Sequence, residues 1–197
     1  MIRLDQVELA TIAYWGYRTA VYAAFFYFIL QAYRRGIAVF YDKRLKLTDT
    51  SDKDLVSWGI TISVMFVLQW IDHLLHFSLI GLEMDYLLRR RLFYVIKLSL
   101  ALFFIFIIIA LHTLRGCTFS RLSRLSMYLV IPSATVNFMQ LIFRGYLESE
   151  ALRPWIVIVI VSVQICYFVA IFSYLAMQLF ADYKRYIRGR KNDQEEC

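Results

Sequence analysis

Cysteine, proline and glycine are scarce in this 197-residue chain, and each scarcity excludes something. The three cysteines, Cys117, Cys166 and Cys197, form no CxxC pair and no disulfide framework. Cys197 is the final residue, so it is not a prenylation box. With seven glycines there is no Gly-rich phosphate loop, and GxSxG and HExxH are absent too. The apolar runs do not alternate, which argues against a barrel, and no internal or inverted repeat is visible. No connection between apolar runs exceeds about 21 residues, leaving no room for a separate soluble domain. No small-residue cleavage pattern follows the N-terminus, where Asp5, Glu8 and Arg18 interrupt any signal-like core, so the first apolar run is expected to stay.

Apolar residues, by contrast, make up 60% of the chain, aromatics 17%, and mean hydropathy is +0.57. Soluble domains average about 45–50% apolar. The expected fold is therefore an all-α integral membrane protein, a single-domain bundle of five transmembrane helices with short loops. The spans are read at about 8–33, 55–82, 92–112, 125–143 and 155–181, followed by a basic tail over 183–197. The fourth is the least apolar, with Pro132, Ser133, Thr135, Asn137 and Gln140, and Pro132 is expected to kink it. Gly36 and Gly145 are expected to break the first and fourth spans, Pro154 to sit at the start of the fifth, and Ser51 to cap the second.

Charge sets the orientation. Lys and Arg number one in the N-terminal tail, six between spans one and two, three in each of the next two loops, two before span five and five in the tail. Five spans with the N-terminus outside and the C-terminus cytoplasmic put fourteen of these inside and six outside, as the positive-inside rule demands. The net charge of +7 then belongs to loops and lipid contact, and nucleic acid is not an expected partner. Arg34, Arg35, Lys43, Arg44 and Lys46 form a basic loop suited to anionic headgroups or a docking partner.

Asp72 is the only acidic residue inside any of the five runs, Glu8 marking the edge of the first. It sits in a polar knot, Gln69, Asp72, His73 and His76, within QWIDHLLH. A central Asp costs about 2.5–3.5 kcal/mol on insertion scales, so such groups persist where they are paired or used. At about 1.5 Å per residue, Asp72 and Arg18 both fall about 15 Å below the outer face, Gln164 about 14 Å, His76 and Asn137 about 9 Å and Lys97 about 8 Å. Arg18, Gln69, Asp72, His73, His76, Lys97, Asn137, Gln140 and Gln164 thus define a polar layer in the outer half, drawn from all five spans. On a helical wheel, Gln69, Asp72, His76 and Glu83 share one stripe that should face the bundle.

Three uses of this layer are open. It can be structural: an Arg18–Asp72 ion pair, Arg18 lying over Tyr14, Trp15 or Tyr22, Lys97 snorkelling outward, and amides acting as interhelical glue at about 0.6 kcal/mol each. It can be an outward-facing site whose positive charge suits an anion or polar headgroup, with Asp72 and the histidines titrating. It can be a metal or haem site, but D-H-x-x-H supplies two ligands from one face and His112 lies at the far end of span three, so no metal or cofactor is assigned. Cys166, mid-span, reads as inert packing and the aromatics of span one as a lipid-facing belt. The function expected first is non-catalytic: an oligomeric sensor, regulatory, immunity-type or accessory subunit acting through helix contacts with the bilayer, itself or another membrane protein. A proton or ion channel or transporter built on Arg18, Asp72 and His76 is the alternative, and an embedded redox or metal enzyme the third.

Overall fold

The computed structural model describes residues 4–36 and 50–195. They form five helices: α1 (Leu4–Arg35), α2 (Thr50–Ile80), α3 (Tyr86–Arg115), α4 (Arg121–Gln140, running on as a π-helical turn, Leu141–Tyr146) and α5 (Arg153–Glu195). Four of them, α2, α3, α4 with its turn, and α5 as far as Lys184, are long and apolar enough to cross a membrane by length and composition. That is the pattern of a multi-pass membrane protein. The outward faces agree: Leu102, Phe103, Phe106 and Ile109 of α3 are exposed, a patch that water would not tolerate. α1 is less apolar because five tyrosines, Arg18 and two early acids dilute it. It packs chiefly along α5 and secondarily along α2, through a small-residue stripe of Ala13, Ala20, Val21 and Ala24, all buried.

Several boundaries differ from the sequence reading. α2 begins at Thr50, so Ser51 lies within the helix and is not its cap with Asp54 three residues on; Asp52 pairs with Arg35. Pro132 sits inside α4 without ending it. Gly145 does not break the fourth helix; it is buried within the π-helical turn, where the Arg91 side chain approaches so closely that only glycine fits easily. The turn out comes at Glu148, which has φ 54°. Part of the expected tail is helix, continuing α5 to Glu195. Of the basic loop, Arg34 and Arg35 end α1, whereas Lys43, Arg44 and Lys46 lie outside the described residues. Gly36 does end α1, with φ 87°, and Gly116 ends α3, with φ 69°.

Each helix has two main neighbours, and the order α1, α2, α3, α4, α5 closes into a ring, with α2 also touching α4. That cross-contact is a dry, hydroxyl-rich clasp. Ser57 and Thr61, one turn apart on α2, meet Ser123 at 2.9 and 2.6 Å. Ser57 Oγ also accepts the backbone N–H of Ser120 (2.8 Å) and lies 2.8 Å from His112 Nε2. His112 Nδ1 faces the Ile108 carbonyl at 2.8 Å, so it must carry the proton; in a neutral ring Ser57 then donates to Nε2. Ser57, Thr61 and Ser123 are fully buried and His112 nearly so, with Phe119 stacked on its ring. Nearby, Trp58 stacks on Tyr174, and a Cβ at Gly59 would overlap the Phe28 ring. At the same end Asp182 of α5 accepts from Tyr27 (2.7 Å) and from Gln31.

Ser57→Ala should strip partners from His112 and the Ser120 amide at once. A loss of about 1–3 kcal/mol is expected, read as a lower unfolding midpoint of the purified protein. Thr113→Ala, which removes an exposed hydroxyl bonded only to its own helix, should leave the midpoint almost unmoved.

Candidate binding cavity

At the opposite end the ring does not close. Between the helices lies a cavity of about 470 Å³ walled by all five, within the range of ligand pockets. Arg18, Gln69, Asp72, Lys97, Asn137, Gln140 and Gln164 all line it, so seven of the nine residues of the expected polar layer share one wall. Tyr14, Tyr17, Tyr94, Ser133 and Arg144 complete the polar lining. A second lobe of about 250 Å³ shares Tyr17, Gln69, Asp72 and Lys97 with the first and continues toward Met65, Phe104 and Val130.

His73 and His76 are the two that do not line it. His73 packs edge-on against Phe77, and His76 is exposed against Phe77 and Phe93, in a separate groove with Arg89 and Arg90. The stripe begun by Gln69 and Asp72 has, one turn later, reached the end of α2 and turned onto α3. Among the described residues no three His, Cys, Asp or Glu side chains converge as metal ligands would.

The charges pair differently from the simplest expectation. Asp72 is bound by Lys97 of the adjacent helix α3, not by Arg18 of α1, and Lys97 therefore does not snorkel outward. Arg18 is bracketed by tyrosines one turn either side on its own helix. Its Nε donates to Tyr22 (2.8 Å) and its Nη1 to Tyr14 (2.6 Å), with the guanidinium carbon 5.7–5.8 Å from the rings of Tyr14, Trp15 and Tyr22. Among the described residues no carboxylate lies within ion-pair distance of it, although it is only 7% exposed. Two hydrogen bonds leave most of its five N–H groups uncommitted. Gln69 is similar: both its amide atoms are buried and, among the described residues, neither makes a hydrogen bond of normal geometry, although the Tyr17 hydroxyl is near.

The rim is basic and held firmly. Arg144 gives Nε and Nη2 to Glu150 (3.0 and 2.8 Å) and Nη1 to Tyr94 (2.7 Å). Arg90 and Arg91 of α3 reach the carbonyls of Arg144 and Gly145 at 3.1 and 2.7 Å, where cations suit a helix C-terminus. On the cavity wall Arg18, Lys97 and Arg144 face the single carboxylate Asp72. The arrangement can hold an anion and surround it with neutral donors.

Tyr94 and Arg144 were not legible as site residues, since an arginine beside a glycine reads as a loop. The Tyr14–Arg18–Tyr22 bracket carried a signal: partners spaced four either side of an intramembrane arginine. No protein-family model, curated protein or solved structure matches this chain.

Two outcomes follow. A double-mutant cycle of Lys97→Met with Asp72→Leu should show coupling toward the low end of about 0.5–3 kcal/mol, because both groups are part-exposed to the cavity. The cycle of Arg18→Gln with Asp72→Leu should be close to additive; the reverse ranking would refute the observed pairing. Cys117, in the connection between α3 and α4, is half-buried, and burial pushes its thiol up against the smaller opposing effect of Arg115. With Cys166 and Cys197 changed to serine, maleimide labelling should therefore be slower at pH 8 than for an exposed thiol. Its rate should still be climbing above the ordinary thiol range, since a raised pKa means less thiolate at any given pH.

Proposed function

We propose that this chain is a five-span membrane protein, N-terminus outside and C-terminus cytoplasmic, that binds an anionic group in its outer cavity and works without catalysis, as a sensor or accessory subunit signalling through helix contacts. One observation carries the reading: Arg18, a cation with little exposed surface and, among the described residues, no carboxylate partner, forms part of a wall built by every helix. A buried charge is costly unless compensated, and an anion in the cavity supplies the compensation. The crossing of α1 is supported by its 32 residues, about 48 Å of helix, and by its packing along α5. Orientation rests on the distribution of Lys and Arg, which puts the cavity on the outer side and the hydroxyl clasp on the inner.

The second reading is transport. It draws on the same asymmetry, because a bundle open at one end and sealed by Ser57, Thr61, Ser123 and His112 at the other resembles one half of an alternating-access cycle.

In neutral-lipid nanodiscs the wild-type protein should bind inorganic phosphate saturably, and Arg18→Gln should weaken that binding about tenfold or more. Proteoliposomes should carry no phosphate or proton flux above empty vesicles; an Arg18-dependent flux would replace the sensor reading with the transport one. In a background with its three cysteines changed to serine, Glu83→Cys should label from outside intact cells. Labelling only after permeabilisation would overturn the orientation.

A further inference from the structure

The polarity of the cavity changes along its length. Its outer lobe is lined by Arg18, Lys97, Arg144 and amides. Its inner lobe keeps Gln69, Asp72, Lys97, Asn137 and Gln164 on its upper wall, and what it adds below them is apolar or aromatic, Met65, Leu68, Phe104 and Val130 among them. On α3, Phe104 lies seven residues beyond Lys97, about 10 Å further in. Below, Tyr167 closes the floor: its ring lies 5.3 Å from that of Tyr17 and its hydroxyl donates to the Ser126 carbonyl at 2.7 Å. A free inorganic anion would use the polar wall and leave the apolar far end of the inner lobe, around Met65, Phe104 and Val130, without a role.

The gradient follows that of an outer leaflet, head outward and hydrocarbon inward. The cations come from three helices: Arg18 from α1, Lys97 from α3 and Arg144 from α4. A tetrahedral phosphate presents oxygens to donors on several sides, whereas a carboxylate offers two coplanar oxygens that suit a single fork. The inner lobe, about 250 Å³ and walled by five helices, is of a size to suit a single short chain.

Resting on the anion-binding reading above, we infer that the ligand is a single-chain amphiphile with a phosphate head, its oxygens met by the uncommitted N–H groups of Arg18, with Lys97 and Arg144 adding positive charge beside it while they hold Asp72 and Glu150, and its hydrocarbon running inward over Met65, Phe104 and Val130. The amide of Gln69, with no well-formed hydrogen bond among the described residues, stands where head meets chain, placed to bond an ester or hydroxyl oxygen.

The test compares probes on the wild-type protein in phosphatidylcholine nanodiscs, with empty nanodiscs as the blank. Labelled decyl phosphate should bind saturably at one per chain and more tightly than inorganic phosphate displaces it. Decyltrimethylammonium should not compete, and decanoate should compete at least about tenfold less well. Val130→Phe, which fills the inner lobe, should abolish decyl phosphate binding while inorganic phosphate still binds; circular dichroism confirms that the variant is folded. If inorganic phosphate binds but decyl phosphate gains nothing, the anion site stands and the amphiphile is refuted. If decanoate equals decyl phosphate, the phosphate head is refuted. If neither anion binds, both readings fall. Displacement of the label by lysophosphatidate built into the nanodisc would place the source in the membrane; displacement only by alkyl phosphates added from water would place it outside.

Discussion

A polar group carried on a helix that lies among apolar helices must find its hydrogen bonds inside the bundle, because a bilayer offers none. That constraint orders the rest of this protein. Ser57, Thr61, Ser123 and His112 satisfy one another across three helices and hold the ring shut. Tyr27, Gln31 and Asp182 tie α1 to α5 near the same end. The opposite half has too many strong donors for such self-satisfaction. Among the described residues Arg18 finds only tyrosine oxygens, and Gln69 makes no hydrogen bond of normal geometry. The same physics thus yields a sealed level and an open one.

The two levels differ in kind as well as position. Hydroxyls are small, donate and accept, and can be packed dry, so the clasp lets α2 and α4 approach closely. Guanidinium and ammonium groups only donate, carry charge and need volume around them. Five helices cannot collapse onto them, and a cavity remains. Placed the other way round, with the serines outward and the arginines in the core, the bundle would lose its floor. The rim arginines have a separate task. Arg90 and Arg91 hold the carbonyls of the π-helical turn, fixing where α4 stops and so where Arg144 stands.

Much of this was legible in the sequence. Apolar runs of span length located five helices, and depth counting put six residues in the same half of the bundle, five of which, Arg18, Asp72, Lys97, Asn137 and Gln164, line the cavity. The failures share a cause. Depth and helical angle specify where a residue sits on its own helix, but pairing depends on which helix lies next to it. Asp72 and Arg18 match in depth, yet α3 supplies the nearer cation. His76 belongs to the stripe by angle, but α2 is ending there and the stripe faces Phe93. The clasp was passed over because serine and threonine on an apolar helix bond their own turn as readily as a neighbour, and only tertiary contact separates the cases. Helix ends depended on neighbours too: Gly145 reads as a breaker until Arg91 packs against it.

The Tyr14–Arg18–Tyr22 bracket bears on whether the open level is an accident of folding. A lone arginine needing only solvation would do best at the rim, where it could snorkel to water. Here two tyrosines at i−4 and i+4 hold the guanidinium in place on the wall, and rings on the same face screen it from the lipid side. Fixing so long a side chain costs rotamer entropy, and burying its charge costs more. Neither cost helps the clasp or the packing of α1 on α5, which run through alanines and through Asp182. A structural role would also be met by letting Arg18 share Asp72, but that carboxylate is already taken by Lys97. On the proposed reading the bracket makes physical sense as preorganisation: donors already aimed and partly desolvated would lose less when an anion binds.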